Sequence, residues 1–385
     1  MLPKKLQNKL NTRKAENALR NLEAQKNLID FSSNDYLGFS KNESIFNAAH
    51  HYLKENNLTF NGATGARLLS GNHILYNSLE KQLCEYYNCE AALIFNSGYT
   101  TNLGFFSSVP QKDDIIFYDA FIHASIRDGI KMSNAKAYKF KHNNLEDLKN
   151  LLFRHSELVS KSQHEVYIVT ESVFSMDGDT PDLEALSKIS KKNKANLVID
   201  EAHAIGVLGE RGLGLTEKID TFARIITFGK ALGCHGAAIL SSNNLKQYLI
   251  NFARPLIYTT ALPPHSLATI KYAYNNLDSQ NQNEASEIKK LHQNIAFFKS
   301  KIKRLKLDHA FIKSNSAIHC CIISGNIKVK AVANYLQKNN FNVKPILSPT
   351  VKKGHERLRF CLHSYNSSQE ITKVLELLAN FVLNE

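Results

Sequence analysis

Apolar residues in this chain gather into short, nearly unbroken runs. From residue 91 the runs AALIF (91–95), IIFYD (115–119), VYIVTES (166–172), NLVIDEAH (196–203), IITFG (225–229) and GAAILSS (236–242) recur at strand length, several of them separated by stretches of helical character. Strands that are apolar on both faces and alternate with helices predict a largely parallel sheet covered on both sides. Residues 46–280 are therefore expected to form a large doubly wound α/β domain. One of its helices is read in DTPDLEALSKISKK, with Thr180 as cap and Pro181 at the first helical position.

The two ends of the chain are patterned differently. Leu6, Leu10, Ala15, Leu19 and Leu22 recur at roughly helical spacing, which predicts an amphipathic helix over residues 1–27. The turn-rich FSSNDYLGFS follows, so residues 1–45 are read as a helix and arm. Beyond residue 281, AIHCCIIS, FNVKPILS and RLRFCLHS read as strands. The last helix opens with Ser367 and Glu370 in capping-box spacing, and Ile371, Val374, Leu378 and Phe381 share one face. Residues 281–385 are thus expected to be a smaller α+β domain.

With 43% hydrophobic and 22% charged residues over 385 positions, the composition is that of a globular protein. The polar start of the chain has no secretory apolar core and no run is long enough for a membrane span, so the expectation is a cytoplasmic protein. The net charge of +13 comes from dispersed lysines, without an aromatic-interleaved basic motif, which argues against nucleic acid and for a solvated lysine-rich surface, with steering of a polyanionic small substrate as the milder functional reading. Six cysteines show neither a CxxC pair nor metal-ligand spacing, so structural thiols and no metal are expected.

In open α/β sheets ligands bind beyond the carboxyl ends of the strands. Four polar residues follow apolar runs in this way: Ser175, Asp200, His203 and Lys230. Lys230 is the single charge between Arg224 and Lys246. No GxGxxG follows a strand, and the one GK pair has Arg224 where a phosphate-binding loop needs glycine and Ala231 where it needs Ser or Thr. Pyridoxal phosphate suits the set better. A lysine can hold its aldehyde and later act as a base, and a buried carboxylate keeps its ring nitrogen protonated. Ser97, Gly98 and Tyr99 of NSGYTTN, where a strand turns into a helix, offer backbone N–H groups to its phosphate.

From FSSNDYLG near residue 31 to RLRFCLHS near 364 the sequence resembles the α-oxoamine synthases, a branch of the fold-type I pyridoxal-phosphate enzymes. The resemblance is carried by FSSNDYLG, SGNHILYNSLE, NSGYTTN, IHAS, ESVFSMDGD, DEAHAIGVLGERG, TFGKALG and RPLIYTTALPP. It implies that Lys230 is the Schiff-base lysine, Asp200 the partner of the ring nitrogen and His123 the residue stacked on the ring. His203 and Ser175 then lie near the phenolic oxygen, and Thr227, Gly98 and Tyr99 bind the phosphate. Thr259 and Thr260 are expected to reach the phosphate of a neighbouring subunit, since the family forms homodimers with shared active sites.

On the polar side of the alternating RLRFCLHS strand, Arg359 is expected to grip the amino-acid carboxylate, while Arg357 reads as a surface arginine on an edge strand. Asn34, Thr350 and Arg20 complete the expected substrate residues. Within the family, FARPLIYTTALPP, VFSMDGD and AIGVLGERG most resemble the branch that joins L-alanine to a pimeloyl thioester, carried on CoA or a carrier protein, in biotin synthesis. DEAHAIG and LSPTVKKG depart from that branch. The competing pairs are glycine with acetyl-CoA, glycine with succinyl-CoA, and serine with a long acyl chain. A transaminase and a catalytically inactive basic binding protein are the remaining alternatives.

Overall fold

The computed structural model describes residues 2–22, 27–155, 164–280 and 286–383. Among these, twelve strands are found: β1 (Ile29–Asp30), β2 (Ala91–Phe95), β3 (Ile115–Asp119), β4 (Lys136–Phe140), β5 (Val166–Glu171), β6 (Asn196–Asp200), β7 (Ala223–Thr227), β8 (Ala237–Ser241), β9 (Ile318–Ile322), β10 (Phe341–Asn342), β11 (Lys344–Ile346) and β12 (Arg357–Cys361). The chain divides into a larger compact unit, Leu37–Phe174 with Thr180–Ile288, and a smaller one of Met1–Tyr36, Ser175–Asp179 and Lys289–Glu385. The N-terminal stretch thus clusters with the C-terminal residues, and a short excursion from mid-chain joins them.

In the larger unit seven strands form one sheet in the order β2-β8-β7-β6-β5-β3-β4. β4, β3, β5, β6 and β7 pair in parallel, whereas β8 runs antiparallel to both β7 and β2. Successive side chains enter opposite cores, as the period of a strand requires. Ile116, Tyr167, Val198 and Ile225 pack with Phe105, Phe106, Ile126 and Leu249 on one face. Phe117, Ile168, Leu197 and Ile199 pack with Leu148, Leu152, Leu186 and Ile189 on the other. Burial on both faces is the reason the runs are unbroken.

Three local features differ from the sequence-based expectation. The first helix spans Lys4–Ala15 and buries none of its residues. Leu6, Leu10, Leu19 and Leu22 are all exposed, and Asn17 breaks the helix with a positive φ of 51°. The helix Leu183–Lys192 is capped by Asp182, whose side chain accepts the Ala185 N–H, and not by Thr180. β4 had no apolar run to announce it, because as an edge strand it exposes lysines to solvent. The last helix, Ser368–Leu383, has its capping box as read: Ser367 N–H donates to Glu370 Oε2 at 2.8 Å and Glu370 N–H to Ser367 Oγ at 3.2 Å.

The smaller unit holds an antiparallel sheet in the order β11-β12-β9 and a parallel pair, β1 with β10. β12 is therefore a central strand. All five of its residues are buried, and Arg357, expected on the surface, pairs with Asp177 and donates to the Met176 carbonyl. The Ser175–Asp179 excursion is fixed at Gly178, whose φ of +78° and close approach to the Ile318 carbonyl leave no room for a Cβ. Ser314 and Ser316 hydroxyls donate to the Gly178 carbonyl at 2.8 and 2.9 Å. Among the described residues no helix is long and apolar enough to cross a membrane, and all six cysteines are free thiols.

Candidate active site

The carboxyl ends of the parallel strands deliver the chemistry of the larger unit. Strand register places Glu171 beside Asp200, and Phe95 beside Ala237, which in turn faces Thr227. Directly after Phe95 the helix Gly98–Ser108 begins, closed by a reciprocal Ser97–Thr100 capping box. That box uses the Ser97 and Thr100 N–H groups and leaves those of Gly98 and Tyr99 without a partner among the described residues. A Cβ built on Gly98 would lie 3.7 Å from Thr227 Oγ1, so this helix start faces the Thr227 hydroxyl. Two open N–H groups at the positive end of a helix dipole make an anion site, beside the Thr227 hydroxyl, which donates to the Gly236 carbonyl at 3.2 Å.

Asp200 is buried at the end of β6, and its carboxylate accepts from Asn102 Nδ2 at 2.8 Å and from the Ala202 N–H at 2.9 Å. Asn102 Nδ2 also donates to Ser125 Oγ at 3.0 Å, and Ser125 Oγ lies 2.7 Å from His123 Nδ1. His123 caps the helix Ala124–Met132, with Nδ1 accepting the Ser125 N–H at 3.2 Å. Burial lowers the His123 pKa; the Asp200 charge opposes that shift and the Lys230 charge reinforces it. His123 is thus neutral at physiological pH.

Lys230 follows β7 after a glycine, and its charge is felt at both His123 and Glu171. Glu171 is buried, and its Oε1 accepts the His123 backbone N–H. Burial pushes its pKa well above the carboxylate range and the Asp200 charge adds to this, while the Lys230 charge acts the other way. Of two neighbouring carboxyls, Asp200 is the one supplied with two N–H donors and Glu171 the one held protonated. His203 is buried three residues beyond Asp200. Thr260 stands near the NSGY turn, its carbonyl accepting from Asn96 Nδ2, and Thr259 precedes it half-buried.

In the smaller unit the structure brings together Arg359, Asn34 and Ser175. Arg359 donates from Nε to the Ser175 carbonyl at 2.7 Å and from NH2 to Asn34 Oδ1 at 3.0 Å. It is 7% exposed, and no carboxylate pairs with it among the described residues. A buried guanidinium held by neutral groups is a ready receptor for an anionic ligand. Ser175 enters this arrangement through its backbone carbonyl. Arg20 and Thr350 meet in an exposed contact at 3.4 Å. Arg67, singled out in NGATGARLLSGN, is committed to Glu80 at 2.7 Å and to the Ile94 carbonyl.

Sequence reasoning missed Asn102, Ser125 and Glu171. Glu171 carried the same signal as Asp200, a carboxylate closing an apolar run. Asn102 lies four residues after Gly98 on the same helix face, and Ser125 two after His123. Their link to Asp200 exists only through space. The donor set fits pyridoxal phosphate: the open helix start and Thr227 suit its phosphate, the buried Asp200 carboxyl its ring nitrogen, Lys230 its aldehyde.

Comparison with known proteins agrees with this. Residues 26–378 match the family described as aminotransferase class I and II. A protein of Glaesserella parasuis serovar 5 (strain SH0165), provisionally named 8-amino-7-oxononanoate synthase, is 38% identical over 357 residues, covering 91% of this chain and 90% of its own. Among solved structures, 8-amino-7-oxononanoate synthase from Francisella tularensis superposes with a TM-score of 0.75 at 31% identity, covering 93% of this chain and 98% of that one. Serine palmitoyltransferase with a pyridoxal-phosphate internal aldimine superposes with a TM-score of 0.84 at 26% identity, over 93% of this chain and 88% of that one.

Proposed function

Because the chain belongs to the aminotransferase class I and II family and is a pyridoxal-phosphate-dependent α-oxoamine synthase, we propose that it joins L-alanine to a pimeloyl thioester, giving 8-amino-7-oxononanoate, free CoA or carrier thiol, and CO2. The observation that carries the substrate choice is the 38% identity to a relative of that name over nine-tenths of both chains. The higher TM-score belongs to serine palmitoyltransferase, but at lower identity. A TM-score measures the fold, which these enzymes share, whereas side-chain identity carries the substrate contacts, so we weigh identity more heavily.

Bound pyridoxal phosphate supplies an electron sink that stabilises negative charge at the amino-acid α-carbon. In this reading Lys230 Nζ takes the α-proton of alanine and later returns one. Asp200 holds the proton on the ring nitrogen, and neutral His123 packs against the ring. Gly98, Tyr99 and Thr227 receive the phosphate; His203 and Ser175 serve the phenolic oxygen. Arg359, oriented by Asn34, binds the alanine carboxylate until the new carbon–carbon bond has formed at the thioester carbonyl and the thiol has left. That carboxylate then departs as CO2. Arg20 and Thr350 serve the distal carboxylate of the pimeloyl chain. The working form is a cytoplasmic homodimer, with Thr259 and Thr260 directed to the partner's phosphate.

The test is release of free thiol from pimeloyl-CoA by the pyridoxal-phosphate-loaded protein with L-alanine, and with Lys230→Ala as control. Release that needs alanine and disappears in the variant supports the reading. Release with glycine or serine and a different acyl-CoA, but none with alanine, replaces the substrates and keeps the family.

A further inference from the structure

We infer that Asn102 is a positioning residue that couples Asp200 to His123: through Ser125 it fixes the proton of the His123 ring on Nε2, so that the ring faces its neighbours as a neutral donor.

The polarity of the chain follows from its first link. The NH2 group of Asn102 donates one hydrogen to Asp200 Oδ2 at 2.8 Å. The second hydrogen of the same NH2 points to Ser125 Oγ at 3.0 Å. Having accepted there, the Ser125 hydroxyl turns its own hydrogen to His123 Nδ1 at 2.7 Å, and the Ser125 N–H adds a second donor at 3.2 Å. Nδ1 thus faces two donors, which leaves Nε2 as the protonated nitrogen.

Two further observations mark this as a purposeful arrangement. Asn102 is 2% exposed and its Oδ1 has no hydrogen-bond partner, so the side chain is held for its two N–H donors while its carbonyl goes unsatisfied. The two helices carrying Asn102 and Ser125 approach so closely that a Cβ on Gly129 would stand 2.9 Å from the Asn102 carbonyl and 2.8 Å from Phe106 Cβ. Glycine at 129 permits the 3.0 Å link.

The charged groups around His123 are Asp200 at the end of β6, Lys230 after β7, Arg127 and Asp128 on its own helix, and Glu171 beneath its backbone N–H. Asp200 favours a protonated imidazole, and the two donors at Nδ1 oppose it. The consequence for catalysis rests on the proposed stacking of His123 on the cofactor; the tautomer itself does not.

The experiment reads the apoprotein first. Histidine-selective 15N labelling, with His123→Gln to identify the signals, reports which ring nitrogen carries the proton and the pH at which the second one binds. In the wild type a single Nε2–H form is expected. Asn102→Ala and Ser125→Ala leave only the backbone N–H of residue 125 fixed on Nδ1, so an Nδ1–H form should appear beside the Nε2–H form and the protonation midpoint should rise by about one pH unit, roughly tenfold in proton affinity. Ser125→Thr keeps a hydroxyl and should restore the wild-type signals.

Circular dichroism melts establish that each variant is folded, and Asn102→Ser supplies a second variant should Asn102→Ala not be. In the loaded protein, the pH dependence of the bound cofactor's visible absorbance should move in the same variants. An unchanged Nε2–H form and midpoint in folded Asn102→Ala or Ser125→Ala would overturn the coupling. A wild-type protein that shows the fixed tautomer but binds no pyridoxal phosphate would keep the coupling and overturn the proposed function.

Discussion

Arg359→Lys offers the sharpest quantitative test of the substrate side of the site. Arg359 presents a fork of five N–H donors, of which Nε is engaged by the Ser175 carbonyl at 2.7 Å, one NH2 hydrogen by Asn34 at 3.0 Å and one NH1 hydrogen by Cys361 Sγ at 2.9 Å. The Tyr36 hydroxyl lies against the same guanidinium, and a carboxylate would share the N–H donors that remain. Lysine preserves the charge but offers a point donor on a flexible stem, so one charge-assisted bond of about 1.5–3 kcal/mol is lost. That corresponds to a fall of about 10- to 150-fold in kcat/KM for the amino acid. Arg359→Ala, which removes the charge as well, should lose more.

Initial rates of thiol release, with alanine varied at saturating thioester and then the reverse, separate the two substrates. Titration of the bound cofactor's visible spectrum with alanine gives amino-acid affinity independently of turnover. The loss should fall on alanine and spare the KM of the thioester. Equal losses for both substrates, or unchanged alanine affinity in a folded Arg359→Lys protein, would refute the carboxylate role.

Three other substitutions test the electrostatics of the fold. Glu171 is held protonated by burial while its unfolded counterpart ionises near 4.5, so its contribution is complete below that pH and declines as pH rises toward the folded value. Glu171→Gln removes the decline, and its melting temperature relative to wild-type apoprotein should climb from pH 5 to pH 8; a flat difference counts against the shift. His319 is buried beside Phe298 with its pKa lowered to about 3, chiefly by burial, so its contribution is present above about 6.5 and drains away as pH falls toward 3. His319→Phe should therefore flatten the acid loss of stability seen in urea midpoints between pH 7 and pH 4, and an unchanged slope would contradict it. Arg357→Met removes the guanidinium that pairs with buried Asp177 and should cost about 3–5 kcal/mol in urea unfolding, most of it recovered in Arg357→Met/Asp177→Leu. Additive losses in the double variant would mean the two side chains do not act as a pair.

The parallel strands were legible because burial on both faces writes itself into the sequence as unbroken apolar runs, and Asp200 and Lys230 because each closes or follows such a run. β4 was not legible: an edge strand has one ladder neighbour and carries lysines outward. Leucine spacing suggested a longer first helix than Lys4–Ala15, yet periodicity gives a helix stability only when the apolar stripe has something to cover, and here none of it is buried. Arg357 was misread for the opposite reason. Alternation of arginine with apolar residues looks like a solvent face, but in β12 both faces are buried and the polar side chains find Asp177 and Asn34 more than a hundred residues away. Asn102 and Ser125, separated by 23 positions, looked like ordinary polar helix residues. Side-chain networks are selected through space, and a pattern read along the chain contains no term for them.

The charges of the two units share a design. Asp200 takes its two side-chain hydrogen bonds from neutral donors, Asn102 and the Ala202 N–H, and Arg359 gives its own to neutral acceptors. Each is a buried ion whose neighbours orient it without cancelling its charge, an arrangement that costs stability in the ligand-free protein. Under the proposed function, the complementary charges would arrive with the ligands: the cofactor's protonated ring nitrogen for Asp200, the amino-acid carboxylate for Arg359. Binding therefore relieves a penalty as well as forming contacts, and the ligand-free fold should be the less stable one by an amount that mass action sets, about 2.7 kcal/mol when cofactor is present at a hundred times its dissociation constant. Glu171 and His123, each of which feels the charges of both Asp200 and Lys230, are held neutral by burial and so add no charge that would compete for those partners.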